Sequence, residues 1–247
     1  MAMRALKSAS IAAEIRRALR DGGSAKHAKG VQWFFKEEIK SHGWYMADLR
    51  KLAVNYRREI LSQRGSALLL SVANKLFSGD VLEEKVFAVF LLEKQTEDFG
   101  DREFRLFERW LDRITSWADH DALVHYLISA MVADDPARVK CVFRWAKSRN
   151  RWHRRAACVA LIRGARGRMC FLQISKLSDM LISDHDDMVQ KGVGWLLRET
   201  AKADPKRTIP YLMRIRKNAP RLVLRTACET LSPATKRYLL SPIRNSR

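Results

Sequence analysis

The stretch Asn150-Arg151-Trp152-His153-Arg154-Arg155-Ala156-Ala157-Cys158-Val159-Ala160 decides the fold. It opens on Asn, whose side chain accepts hydrogen bonds from the free N–H groups of a helix start. It carries a basic residue about one turn in and closes on small and apolar residues. Small residues let neighbouring helices approach closely, and branched ones fill a core. The same order returns along the chain. Asp80, Ser116 and Asp186 stand five residues before Lys85, Asp121 and Lys191, as Asn150 does before Arg155. Pro220, tolerated in a first helical turn, stands five before Arg225. Apolar runs follow at Val86-Phe87-Ala88-Val89-Phe90 and Gly192-Val193-Gly194-Trp195-Leu196.

Arg155 thus belongs to a register: Arg50, Lys85, Asp121, Arg155, Lys191 and Arg225, at intervals of 35, 36, 34, 36 and 34 residues. A near-constant period of that size marks stacked helix pairs. Helical periodicity dominates, and strand-type alternation is absent. The expected fold is all-α, a right-handed superhelical solenoid of HEAT-like helix pairs. Its register residues should line a concave basic face. One domain is expected over residues 1–247, with an N-terminal helix over 1–20 and a flexible linker over 21–29. The Arg-rich first 20 residues also have a transit-peptide character, against which Glu14 speaks.

Composition narrows the partner. Lys and Arg number 47 against 27 Asp and Glu, a net charge of +20 that exceeds what solubility needs and points to a polyanion. The longest apolar runs, such as 86–92 and 156–162, are too short to span a bilayer. Cys141, Cys158, Cys170 and Cys228 form no CxxC pair and fit a reducing compartment, cytoplasmic or nuclear. Neither a Gly-rich phosphate loop, nor GxSxG, nor HExxH around His120 and His125 occurs. Asp184-His185-Asp186-Asp187 has a metal-like composition, but it falls at a helix start, where capping and the helix dipole account for acids. No metal or cofactor is expected.

Asp121 is the one acid in a register of cations, where it would repel the anion that its neighbours attract. Such a cost argues for chemistry. The plainer alternative is a salt bridge to Arg155. Trp117 and Asp121, at i and i+4, share one helix face; Lys191, Trp195 and Arg198 share another, as do Arg151 and Arg155. If the register holds, two tryptophans and a carboxylate stand among several cations. Lys85, Arg151, Arg155, Lys191, Arg198 and Arg225 are then the residues expected to hold the polyanion, which on composition alone is DNA, RNA or an anionic membrane surface.

Three stretches carry a resemblance to a known family: Ser116-Trp117-Ala118-Asp119-His120-Asp121, then Asn150 through Ala157, then Gln190-Lys191-Gly192-Val193-Gly194-Trp195-Leu196-Leu197-Arg198-Glu199. With Phe34-Phe35-Lys36, His42-Gly43 and Leu49-Arg50, they resemble the AlkD-type DNA alkylation-repair glycosylases, HEAT-like repeat proteins, over roughly residues 30–235. The resemblance implies that Trp117, Asp121 and Trp195 belong to a catalytic cleft. It implies that Arg155 and Arg198 hold the DNA backbone near a lesion lying in an open cleft. Family members often carry a second Trp where this chain has Ser116, and a cleft Tyr that falls here at Phe34 or Phe35. The expected activity is hydrolysis of the N-glycosidic bond of cationic N3- or N7-alkylated purines in duplex DNA, by a monomer, away from membranes. A non-catalytic DNA-binding scaffold and a protein-interaction adaptor are the alternatives.

Overall fold

The computed structural model describes residues 2–242, with the side chains of residues 2–6, 63 and 64 left aside. Its regular elements are helices, and its one β-type pairing among the described residues is an isolated bridge between Lys40 and Val81. Two compact units make up the chain, Met1–Leu127 and Ile128–Arg247. Sequence alone places no boundary near residue 127. No helix among the described residues is long and apolar enough to cross a membrane.

The first unit contains α1 (Ala2–Asp21), α2 (Ala25–Val31), a 3₁₀ turn (Gln32–Phe34), α3 (Met46–Arg64), α4 (Ser66–Phe77), α5 (Leu82–Leu92), α6 (Asp101–Trp110) and α7 (Trp117–Ala122). Every residue of α5 is buried, so it is the central helix, packed by α3, α4 and α7. A helix buried on all sides needs apolar residues all round, which explains Val86 to Phe90. The acids and the Lys of its first turn are buried too, and each is paired. Glu83 accepts from Ser41 Oγ at 2.6 Å and from the backbone N–H groups of His42, Gly43 and Trp44 at 2.9, 2.9 and 3.3 Å. Glu84 takes Arg16 Nε at 2.8 Å.

The segment expected as a flexible linker is mostly structured. Ser24 caps α2 by accepting from His27 N at 3.2 Å, and the His27 ring stacks on Tyr45 at 4.0 Å. Gly22 and Gly23 serve close approach rather than mobility. A Cβ at Gly22 would collide with the Trp44 ring, and one at Gly23 with the His42 carbonyl.

The second unit contains α8 (Ser129–Asp134), α9 (Val139–Trp145), α10 (Arg151–Ala160), α11 (Ile162–Arg166), α12 (Phe171–Leu181), α13 (Asp187–Ala203), α14 (Pro205–Ile215), α15 (Arg221–Ala227) and α16 (Pro233–Leu240). Helix α13 is its centre, packed by α10, α11, α12, α14 and α15. Gly194 makes the α15 contact possible, because a Cβ there would stand 2.6 Å from Thr226 Cβ. The anticipated capping residues hold at three sites: Ser116 accepts from Asp119 N, Asn150 from Trp152 N, and Asp186 from Met188 N and Val189 N. Asp80 is one residue early. Val81 is the N-cap residue before α5 and makes no side-chain cap, and Asp80 pairs with Lys40 at 2.5 Å.

Candidate functional site

Helix α7 is short, and a dense network fixes its start. Ser116 N donates to Asp119 Oδ1 at 2.7 Å, Ser116 Oγ donates to the same oxygen at 2.5 Å, and Thr115 N donates to Asp119 Oδ2 at 3.0 Å. This is a capping box, in which the cap and the third helical residue satisfy each other's free backbone donors. Ser116 therefore has a structural task at the position where the resembling family often carries Trp. Asp119 is fully buried, and Lys85 Nζ at 3.3 Å compensates its charge.

That pairing corrects one expectation. Lys85 is 1% exposed and bonds to Asp119, Thr115 Oγ1 and the Arg113 carbonyl, so its ammonium faces no phosphate. Arg155 behaves similarly. It is 5% exposed and donates to the Met188 carbonyl at 2.7 Å, against α13. Arg50 pairs with Glu93 and lies over the Phe90 ring at 4.0 Å and the Tyr126 ring at 4.8 Å. Much of the cationic register thus stitches one repeat to the next. At three register positions, Arg50, Lys85 and Arg155, a cation satisfies a carbonyl or carboxylate 33 to 43 residues on.

Asp121 lies on the last turn of α7 with 20% of its side chain exposed, and its Oδ1 stands 2.7 Å from Nδ1 of the fully buried His120. An ionised carboxylate can only accept, so this contact places the imidazole proton on Nδ1. One turn back, the Trp117 ring stacks on Phe35 with centroids 5.0 Å apart and 16° between planes. Its indole N–H donates to the Phe34 carbonyl at 3.3 Å. The 3₁₀ turn is thereby fastened to the helix that carries Asp121. Phe35 is half-buried against Trp117, whereas the Phe34 ring is exposed. A π-helical segment, Leu123–Ile128, follows directly; such segments are frequent at functional sites.

The remaining expected residues lie in the second unit. Lys191, Trp195 and Arg198 are half-buried on α13, and Arg225 is exposed on α15. Arg198 pairs with Glu199 at 3.3 Å and with Glu229. Arg151 lies over the Trp152 ring at 4.6 Å and 3.6 Å from Asp186. The Asp184-to-Asp187 string is read as capping and pairing: Asp186 caps α13, and Arg154 binds Asp184 at 2.6 Å. Burial alone would raise the Asp184 carboxyl, but the Arg154 bonds and the Asp186 N–H outweigh it and hold it below its ordinary value. Glu199 is comparable: burial raises it, and hydrogen bonds from Lys202 and Arg166 bring it below the usual range.

Two residues are not singled out by the sequence pattern. The signal for His120 is its place in the apolar stripe with Leu123, Val124 and Leu127. Trp33, 90% exposed beside Phe34, gave no periodic signal because it sits on a turn.

Comparison with known proteins places the chain. A solved structure of a predicted DNA alkylation repair enzyme from Enterococcus faecalis is similar over 85% of this chain and 97% of its own, with TM-score 0.76 and 16% identity. AlkD2 from Streptococcus mutans is similar over 76% of this chain and 91% of its own, with TM-score 0.55 and 19% identity. At such identities the likeness is one of fold, and it is to helical-repeat proteins. No curated protein matches. The family described as DNA alkylation repair enzyme matches residues 15–231, well over half of the sequence. The chain belongs to the DNA alkylation repair enzyme family.

Proposed function

We propose that the protein is a monofunctional DNA glycosylase of base excision repair that releases cationic N3- or N7-alkylated purines from duplex DNA. The observation that carries this reading is Asp121: a carboxylate open to solvent on one side, held by a buried imidazole, one turn from an anchored Trp117. In a protein of charge +20 such an acid weakens binding to DNA, so its use lies in the reaction.

Alkylation at N3 or N7 leaves the purine positively charged. When the C1′–N bond breaks, the electron pair departs with the base and neutralises it, so no general acid is required. Positive charge then develops on the deoxyribose. The Asp121 carboxylate stabilises that oxocarbenium character electrostatically, and it orients the water that adds to C1′ and takes up the water's proton. The products are the free base and an abasic site. Trp117 contacts the lesion nucleotide by stacking and cation–π attraction, about 0.5–2 kcal/mol, and the half-buried Trp195 offers a second ring to the DNA. Lys191, Arg198, Arg151 and Arg225 bind phosphates. Duplex DNA is the partner of a monomer in this scheme, and the chemistry asks for no metal.

Incubation with duplex DNA bearing one 7-methylguanine, in EDTA, tests the reading. Expected are free 7-methylguanine and a strand that breaks only after alkali treatment. Salt-sensitive binding without base release would leave a DNA-binding scaffold in its place.

A further inference from the structure

The Gln32–Phe34 turn presents two aromatic rings to solvent, Trp33 at 90% and Phe34 at 74% exposure. Large apolar rings side by side on a surface lose hydrophobic stabilisation unless something covers them. The turn is rigid. The Gln32 side chain donates to the Glu37 carbonyl at 2.8 Å and accepts from Ile39 N at 2.9 Å, closing the segment after the turn. The turn is also fastened to the proposed site, through the Phe34 carbonyl on Trp117 Nε1 and the Phe35 ring on Trp117. Trp33 and Phe34 thus stand on the segment that packs on α7, the helix that carries Asp121.

We propose that Trp33 and Phe34 form a base-stacking platform that receives a nucleobase unstacked next to the lesion. Flat aromatic faces stack on any base without regard to sequence. The segment carries Lys26, Lys29 and Lys36, exposed, against the carboxylates of Glu37 and Glu38, and the whole chain is strongly cationic. That balance favours a nucleic acid over an acid-seeking or neutral partner. The cleft-aromatic role was expected for Phe34 or Phe35; Phe35 is occupied in packing against Trp117, and the platform gives Phe34 a different task beside Trp33. It rests on the glycosylase reading for its place, since that reading puts the reacting nucleotide beside α7.

The test uses 2-aminopurine, a base whose fluorescence falls when it stacks, placed opposite an abasic-site analogue in duplex DNA. The wild type and Asp121→Asn should quench it equally, and Trp33→Ala should abolish most of the quenching. Affinity for this unstacked duplex should fall about tenfold in Trp33→Ala and further in Trp33→Ala/Phe34→Ala. Affinity for continuous undamaged duplex should change less than twofold, and Trp33→Phe should restore most of the loss. Both side chains are exposed, so the variants keep the fold. Because binding is read rather than excision, failure of the catalytic assignment would leave this result intact. Quenching unchanged in Trp33→Ala would overturn the platform. So would equal losses on both duplexes, or capture by phosphatidylserine vesicles that the double variant abolishes while DNA binding stays.

Discussion

Replacing His120 separates the holding of Asp121 from the charge of Asp121. His120 is fully buried and its Nδ1 lies 2.7 Å from Oδ1, so His120→Leu keeps apolar bulk and deletes one donor to a carboxylate. A hydrogen bond to a charged group contributes about 1.5–3 kcal/mol net, and about 1.4 kcal/mol is a factor of ten. Asp121 keeps 20% of its side chain open to water, which can replace part of the lost donor. The lower half of that range therefore applies, and single-turnover base release should slow by about 10- to 50-fold. DNA affinity should stay within twofold, since His120 itself reaches no ligand. His120→Asn offers an amide N–H near the Nδ1 position and should recover most of the rate. The assay is release of free 7-methylguanine at saturating enzyme, beside circular dichroism to confirm folding. Wild-type release by folded His120→Leu would refute the positioning argument. So would an Asn variant as slow as Leu.

Other outcomes follow from the pairings. Lys85→Met should lower stability by about 3 kcal/mol in urea unfolding, because Asp119 is left buried without its cation, while the salt slope of DNA binding stays unchanged. A shallower slope with unchanged stability would return Lys85 to the DNA surface. Lys191→Ala and Arg225→Ala should each reduce the salt slope by about one ion, measured by titration between low and moderate salt. Glu199, held below its ordinary value, contributes stability that is complete above the unfolded carboxylate range and is lost as pH falls through its folded value. Glu199→Gln should accordingly cost about 1–2 kcal/mol at neutral pH and less at acid pH; the figure is kept low because Arg166 and Lys202 are half-solvated. Equal losses at both pH values would show that packing, not charge, is at stake.

The helical architecture was legible because stacking repeats one local problem. Each pair needs a capped start, and Ser116, Asn150 and Asp186 announce those starts in the sequence. The same regularity misled where it was read as ligand binding. Lys85 and Arg155 recur in phase, and each meets a carboxylate or carbonyl of the following repeat, a need indistinguishable by spacing from a row of phosphate contacts. Asp121 was visible as the exception to the register. Its partner was not, since a His inside an apolar stripe gives no sign of which way its ring nitrogen points. Nor was the Trp33 turn, where no period operates. Gly22 and Gly23 looked like flexibility in the sequence and are close packing against Trp44 and His42.

The central claim is that the Asp121 carboxylate acts on the transition state. Single-turnover release of 7-methylguanine by Asp121→Asn at saturating enzyme, with the dissociation constant for the same duplex measured alongside, tests it most directly. Binding equal to or tighter than wild type is expected, with release slowed by about 10²-fold or more. Release at the wild-type rate, or a loss explained wholly by weaker binding, would contradict it.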